Sequence, residues 1–289
     1  MDVYKFDIKH KIKDNKDLED GTILILGKFN IFHKGHLELI NYAHSIKKEK
    51  QKIGILIINE ENNNFQSLSS KLQICCSLDI DFAIVAEFNF EFKSIEGDDF
   101  IKYLDKNFFV KEYITGEDFY FGKERKYQAN DIVNISKAKL KMLPLKTIQN
   151  IKISSSNIKE MHELGEYNLI SELVISPLSF DVNIQDTLLF WNSSIKKPHY
   201  GNYYFKLLID DYWYHGIINF SITQNINYQL IDKNIDHLTI LDQNTQIQIL
   251  NVERIIINSR FDNITEDDVE RTKQYFISYS NNLGNKLLE

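Results

Sequence analysis

Short apolar runs alternate with amphipathic segments between residues 21 and 145. TILILG at 22–27, KIGILII at 52–58, FAIVAEF at 82–88, EYITG at 112–116 and KMLPL at 141–145 have the length and composition of buried strands. Leu37, Ile40, Ala43 and Ile46 recur at helical spacing, and 68–78, 98–107 and 130–138 read as further helices. This alternation predicts a parallel sheet with helices on both faces. In such a sheet the ligand crevice lies beyond the carboxyl ends of the strands, where the loops after Gly27 and Gly116 should meet. Residues 154–176 read as helical. From about 186 the pattern turns to strands. NYYFKLLI (202–209) and YWYHGIINF (212–220) flank Asp210-Asp211 as a hairpin, and HLTILD (237–242) and TQIQILNVE (245–253) add alternating segments. Residues 264–279 close the chain as a helix, with Thr265 as N-cap and Asp268 three residues on, near a capping box. The expected organisation is an α/β domain over 1–180 and a smaller β-rich domain over 181–289.

Composition narrows the function classes. Apolar residues make up 43% of the 289 and charged residues 26%, which excludes a wholly disordered chain. The formal net charge of −7 argues against a protein that coats nucleic-acid phosphates. Cys75 and Cys76 are the two cysteines and are adjacent, so no structural disulfide or zinc-type cysteine cluster is expected. The first 20 residues carry no apolar signal core, and no apolar run reaches membrane-spanning length. A cytoplasmic location, no membrane partner and no nucleic-acid partner are the expectations; an oligomer is possible but not readable.

GKFNIFHKGHLELI, residues 27–40, follows a strand and opens a helix. His33 and His36 are three apart with Gly35 between them, so both imidazoles can face one pocket from a helix N-terminus. Gly35 lets a phosphate approach the backbone, and the helix N-terminus favours anions. Two imidazoles, neutral or protonated, can donate hydrogen bonds to a phosphoryl group gaining charge. KISSSNIKE, residues 152–160, places Ser154, Ser155 and Ser156 before a second helix. Alone it is as consistent with an ordinary cap through Asn157 and Glu160. With the histidine element it is the second half of a nucleotide-phosphate cradle, with Lys159 supplying positive charge to a leaving pyrophosphate.

These two elements resemble the HxGH nucleotidyltransferase superfamily. TGEDFYFGKE (115–124) and AEFNFEFKSIEGDDFIKYL (86–104), with Lys71 ahead of them, resemble the prokaryotic bifunctional riboflavin kinase/FAD synthetase family. GNYYFKLLIDDYWYHGIINF (201–220), HLTILDQ and FDNITEDDVERTKQYF resemble that family's kinase module. The resemblance implies a Rossmann-like transferase domain followed by a smaller β-barrel-like domain with a C-terminal helix. It implies AMP transfer from ATP to FMN, giving FAD and pyrophosphate. On the matching positions, His33 and His36 would stabilise the transferring group, with Lys159 as a further catalytic cation. Gly27, Phe29, Asn30, Gly35, Ser154, Ser155, Ser156 and Asn157 would hold ATP phosphates. Gly116, Asp118, Phe119 and Phe121 would shape the flavin and nucleotide cleft, although Phe119 and Phe121 read equally well as strand-end core packing. Mg²⁺ would bridge phosphate oxygens without a dedicated protein metal site.

The chain also departs from the family. In the GxFDGxHxGH pattern, Asn30 replaces the acid and Ile31 the glycine. ISSTRIR becomes ISSSNIK, so Asn157 and Lys159 replace two arginines, and lysine lacks the bidentate fork. NEENNNF (59–65) stands in place of the FxPHP segment. WNSSIKKPHY (191–200) stands where the kinase module has its nucleotide loop, and the kinase's catalytic glutamate falls on His237. Loss of riboflavin kinase activity is expected. The competing readings are a bifunctional enzyme, a non-catalytic flavin- or nucleotide-binding descendant, and a superfamily cousin using another acceptor.

Overall fold

A computed structural model describes all residues except 11, 13–14, 61–64, 145, 149–150, 194, 233–242 and 287–289. Leu145 and the segment 237–242, including His237, lie outside the described residues. The chain divides into two compact units, one of residues 1–64 and 68–155, the other of 65–67 and 156–289. The units part between Ser155 and Ser156, earlier than the 180/181 boundary read from the sequence.

The first unit is built on β1 (Asp2–Lys5), β2 (Thr22–Leu26), α1 (Lys34–Ile46), β3 (Lys52–Asn59), α2 (Leu68–Ser77), β4 (Phe82–Glu87), α3 (Gly97–Phe108), β5 (Val110–Gly116) and β6 (Lys139–Leu143). The strands form one parallel sheet in the order β1-β4-β3-β2-β5-β6. Strand order reverses at β2, so the loops after β2 and β5 flank the switch point. β2 and most of β3 and β4 are buried, as parallel strands covered on two faces must be. Gly54 makes one pairing possible: opposite Phe82, a Cβ would stand 2.1 Å from the Phe82 ring. β1 was not evident in the sequence. It is an edge strand bound through backbone pairing to β4, with mostly exposed side chains that leave no apolar signature. The helix expected at 130–138 shrinks to a 3₁₀ turn (Ala129–Asp131) and a four-residue helix (Ile132–Ile135). Ser136 ends it in an extended conformation, its Oγ accepting from Ala138 N–H at 3.0 Å.

The second unit contains α4 (Ser155–Leu164, whose first residue falls in the first unit), α5 (Tyr167–Leu173), β7 (Leu178–Gln185), β8 (Leu188–Trp191), β9 (Gly201–Ile209), β10 (Tyr212–Phe220), β11 (Ile226–Leu230), β12 (Gln243–Ile255) and α6 (Glu266–Lys286). The helical stretch expected at 154–176 is two helices. Gly165 (φ +77) stops α4, with Glu166 N–H bonding back to Met161 C=O at 2.9 Å. The strands form an antiparallel sheet, β8-β7-β12-β9-β10-β11, whose edge strands β8 and β11 approach each other in a nearly closed barrel. Two-residue turns with positive φ at both positions, Asp186-Thr187 and Asp210-Asp211, make the tight hairpins. Beyond β8, Trp191 Nε1–H donates to Ile195 C=O at 2.8 Å, and Tyr203 O–H to His199 C=O at 2.6 Å.

Candidate active site

The loop from Gly27 to His33 leaves the carboxyl end of β2 at the switch point. A Cβ on Gly27 would lie 2.8 Å from the Phe29 ring, so glycine permits the chain to fold back. Phe29 takes φ +44, a conformation that costs a non-glycine residue about 1 kcal/mol or more. Complete burial offsets that cost: the ring is 0% exposed, 5.3 Å from Phe32 and 4.4 Å from His36 between centroids. Phe29 thus supports His36 from beneath.

His33 is the N-cap of α1 (φ −132, ψ 167), and its Nδ1 accepts the His36 backbone N–H at 3.3 Å. In the neutral ring that acceptor role puts the proton on Nε2, so Nε2–H is the donor available to a ligand. The His33 and His36 rings stack, 3.7 Å apart and 13° from parallel. Gly35 makes room for the stack, since a Cβ there would press on the His33 ring at 3.1 Å. Burial pushes His33 down to about 4, against weaker opposing effects of its own backbone and the Asp118 carboxylate. Burial, then the neighbouring His33, holds His36 well below the ordinary imidazole range, with the Ile31 backbone opposing. Both rings are therefore neutral near pH 7. Of the two protonation states left open by the sequence, the structure supports the uncharged one.

Asp118 lies in the loop after β5, and Leu26 pairs with Thr115, so the loops after Gly27 and Gly116 leave adjacent strand ends. Gly116 leaves the space that Asp118 uses: a Cβ there would stand 3.1 Å from Asp118 Oδ1. Asn30 Oδ1, His36 Nδ1 and Thr115 Oγ1 are buried without a hydrogen-bond partner among the described residues. Thr115 is the register partner of Leu26, at the ends of β5 and β2. Unpaired buried polar atoms are costly and point to groups supplied by water or ligand. Phe119 and Phe121 stack at 5.7 Å, and Phe121 packs against Phe100 and Tyr127; Phe121 belongs to the buried core of this unit and the half-buried Phe119 packs against it.

Lys146 forms an ion pair with Glu38 of α1, and Lys146 C=O accepts Ile153 N–H at 3.1 Å, immediately before Ser154. This brings the start of the triplet to the helix that carries His36. Ser154 and Ser155 are half-buried, Ser156 is exposed, and α4 starts at Ser155. Ser156, Asn157 and Lys159 fall in the second unit, where the Lys159 ammonium lies 5.5 Å over the Phe65 ring. Thr115 and Lys146 were not singled out from the sequence. Thr115 was hidden inside a strand pattern, and Lys146 is one of many lysines until the fold pairs it. No cluster of three or more His, Cys, Asp or Glu side chains among the described residues could hold a metal ion.

A family model described as FAD synthetase matches residues 15–157. A bifunctional riboflavin kinase/FMN adenylyltransferase of Buchnera aphidicola subsp. Schizaphis graminum is 27% identical over 184 residues, 58% of this chain and 59% of that protein. A protein of the same description from Bacillus subtilis is 23% identical over 301 residues, covering 93% of this chain and 95% of that one. The match to the Buchnera relatives thus spans little more than half their length, whereas the Bacillus match runs through both units. A solved structure described as a macrolide-efflux protein from Streptococcus pneumoniae superposes with a TM-score of 0.73 at 18% identity, covering 87% of this chain and 99% of that one. At that identity the likeness shows the fold alone. The histidine pair at the switch point lies within the segment that the FAD synthetase model matches, and the chain is similar to bifunctional riboflavin kinase/FMN adenylyltransferases.

Proposed function

We propose that this chain is an FMN adenylyltransferase: it transfers AMP from ATP to FMN, giving FAD and pyrophosphate. The observation that carries the reading is the stacked, neutral His33–His36 pair at the N-terminus of α1, beside the switch point of the parallel sheet. An FMN phosphate oxygen attacks the α-phosphorus of ATP. A new P–O–P bond forms, the bond to the β-phosphate oxygen breaks, and pyrophosphate leaves with that electron pair. Catalysis of this kind is positioning plus electrostatic stabilisation. His33 Nε2–H is set to donate to an α-phosphate oxygen as charge builds there. The His36 ring stacks on the His33 ring and fixes its position. Ser154, Ser155, Ser156, Asn157 and Lys159 hold the β- and γ-phosphates, and Gly27, Asn30 and Gly35 line the approach. Gly116 and Asp118 bound the cleft on the β5 side. The unpartnered Asn30 Oδ1 fits a ligand hydroxyl or amine, not a phosphate oxygen. Mg²⁺ fits as a companion of the triphosphate, since it is commonly held by substrate phosphates.

The second unit retains the kinase-like barrel but is proposed to have lost riboflavin phosphorylation. In the stretch where the nucleotide loop is expected, Ile195 C=O accepts from Trp191 Nε1–H and His199 C=O from the Tyr203 hydroxyl of β9. The test is product analysis by chromatography. Incubation with FMN, ATP and Mg²⁺ yields FAD, and incubation with riboflavin, ATP and Mg²⁺ yields no FMN. Absence of FAD in the first removes the transferase reading; FMN in the second removes the kinase-loss reading.

A further inference from the structure

The stretch that replaces the family's FxPHP segment ends in Phe65, and Phe65 packs in the second unit. The Phe65 ring is 6% exposed and is met edge-on by His162 at 4.8 Å and 86°, and by Phe180 at 5.4 Å and 75°. His162 is itself fixed. Its Nε2–H donates to Lys196 C=O at 2.8 Å, and its Nδ1 accepts the Tyr167 hydroxyl at 2.6 Å. Two residues after Phe65, the Ser67 hydroxyl accepts from Gln246 Nε2 of β12 at 2.8 Å, which tethers the segment to the barrel sheet. The ring held in this way carries the Lys159 ammonium 5.5 Å from its centroid.

A lysine side chain has four rotatable bonds and loses rotamer freedom when it is fixed in one place. An aromatic face within about 6 Å attracts the ammonium and restricts it beforehand. Lys159 stands four residues after Ser155 on α4, so the two share a helix face. We propose that Phe65 is a positioning residue, one that holds the Lys159 ammonium in place for the β- and γ-phosphates of the bound nucleotide. The proposal rests on the adenylyl-transfer reading for its role, and on the Phe65–Lys159 contact for its substance. It gives the diverged segment a function: in place of the family's loop sequence, it supplies a ring that steadies the lysine standing where the family has arginine.

The test compares the full-length chain with Phe65→Leu, Phe65→Tyr, Lys159→Gln and the Phe65→Leu/Lys159→Gln double variant. Calorimetry gives the Kd for ATP and for AMP, and kinetics give kcat and the KM for ATP. Phe65→Leu should weaken ATP binding about fivefold and leave AMP binding unchanged, since AMP lacks the phosphates that Lys159 serves. Phe65→Tyr, which keeps the ring, should restore most of the loss. In the Lys159→Gln background, Phe65→Leu should add nothing further. Additive losses, or equal weakening of AMP, overturn the proposal. A wild-type chain that shows this coupling in ATP binding but makes no FAD keeps the proposal and removes adenylyl transfer; one that binds no ATP removes both. If Phe65→Leu does not fold, NMR of the wild type decides. The Lys159 ε-methylene protons should be shifted upfield by the ring, and random-coil shifts would overturn the proposal.

Discussion

The tautomer of His33 follows from one hydrogen bond: Nδ1 is occupied by the His36 backbone N–H, so Nε2–H is left as a donor. Burial explains why neither ring charges readily, and at His36 the stacked His33 adds to it. His36→Ala removes the ring stacked on His33 and should lower adenylyl transfer about 10²-fold, as misplacing a transition-state hydrogen-bond donor does in other enzymes. Steady-state kinetics on the folded variant checks this, and near-normal turnover would remove His36 from the mechanism. Burial also sets a pH dependence of stability. His33 and His162 are each held to about 4 in the folded chain, below the ordinary 6.5. Between those values the unfolded chain binds more protons, so stability is full above about pH 6.5 and falls as pH drops toward 4. Urea unfolding midpoints at pH 7.5 and 5 should differ accordingly, and equal midpoints would contradict the buried, neutral assignment. His33, Gly35 and His36 were legible because the motif is local. Phe29 was assigned to phosphate binding, and only the fold shows its ring buried beneath His36.

Elements were most legible where pattern and turn chemistry agreed. Strands β2, β3, β4 and β5 of the parallel sheet and the Asp210-Asp211 hairpin follow the expected segments closely. The final helix shows more than its predicted cap. Thr265 N–H and O–H both donate to Asp268 Oδ2, at 2.9 and 2.8 Å, and Asp268 N–H returns a bond to Thr265 Oγ1 at 3.2 Å. The same carboxylate, 0% exposed, accepts from Arg254, Arg271 and Asn202. Although burial opposes ionisation, these donors, Arg254 foremost, hold the Asp268 carboxyl well below its usual range. Asn202 in turn accepts from Asn219, which joins the start of α6 to β9 and β10. Asp268→Asn leaves two guanidinium groups without their buried partner and should cost about 3 kcal/mol or more. A denaturant midpoint indistinguishable from wild type would contradict this reading. The sequence showed Asp268 as a cap and not as a hub, because its arginine partners come from β12 and from the next turn of α6.

For the whole molecule, the change from strand–helix alternation to strand pairs was visible along the chain, and both units follow it. Two features were not visible. The edge strand β1 carries no apolar pattern because its side chains are mostly exposed. The assignment of 65–67 to the second unit rests on Phe65 and Ser67 finding partners about a hundred residues or more away along the chain, which no local pattern encodes. The central claim is that the histidine edge and the serine element act on one triphosphate to move AMP. It is tested most directly by following labelled phosphorus through a reaction of the full-length chain with FMN and Mg²⁺. With ATP labelled at the α-phosphate, the label should appear in FAD; with ATP labelled at the γ-phosphate, it should appear in pyrophosphate, in equal molar amount. Label that stays in ATP, or that leaves as inorganic phosphate with ADP as the partner product, would contradict the account.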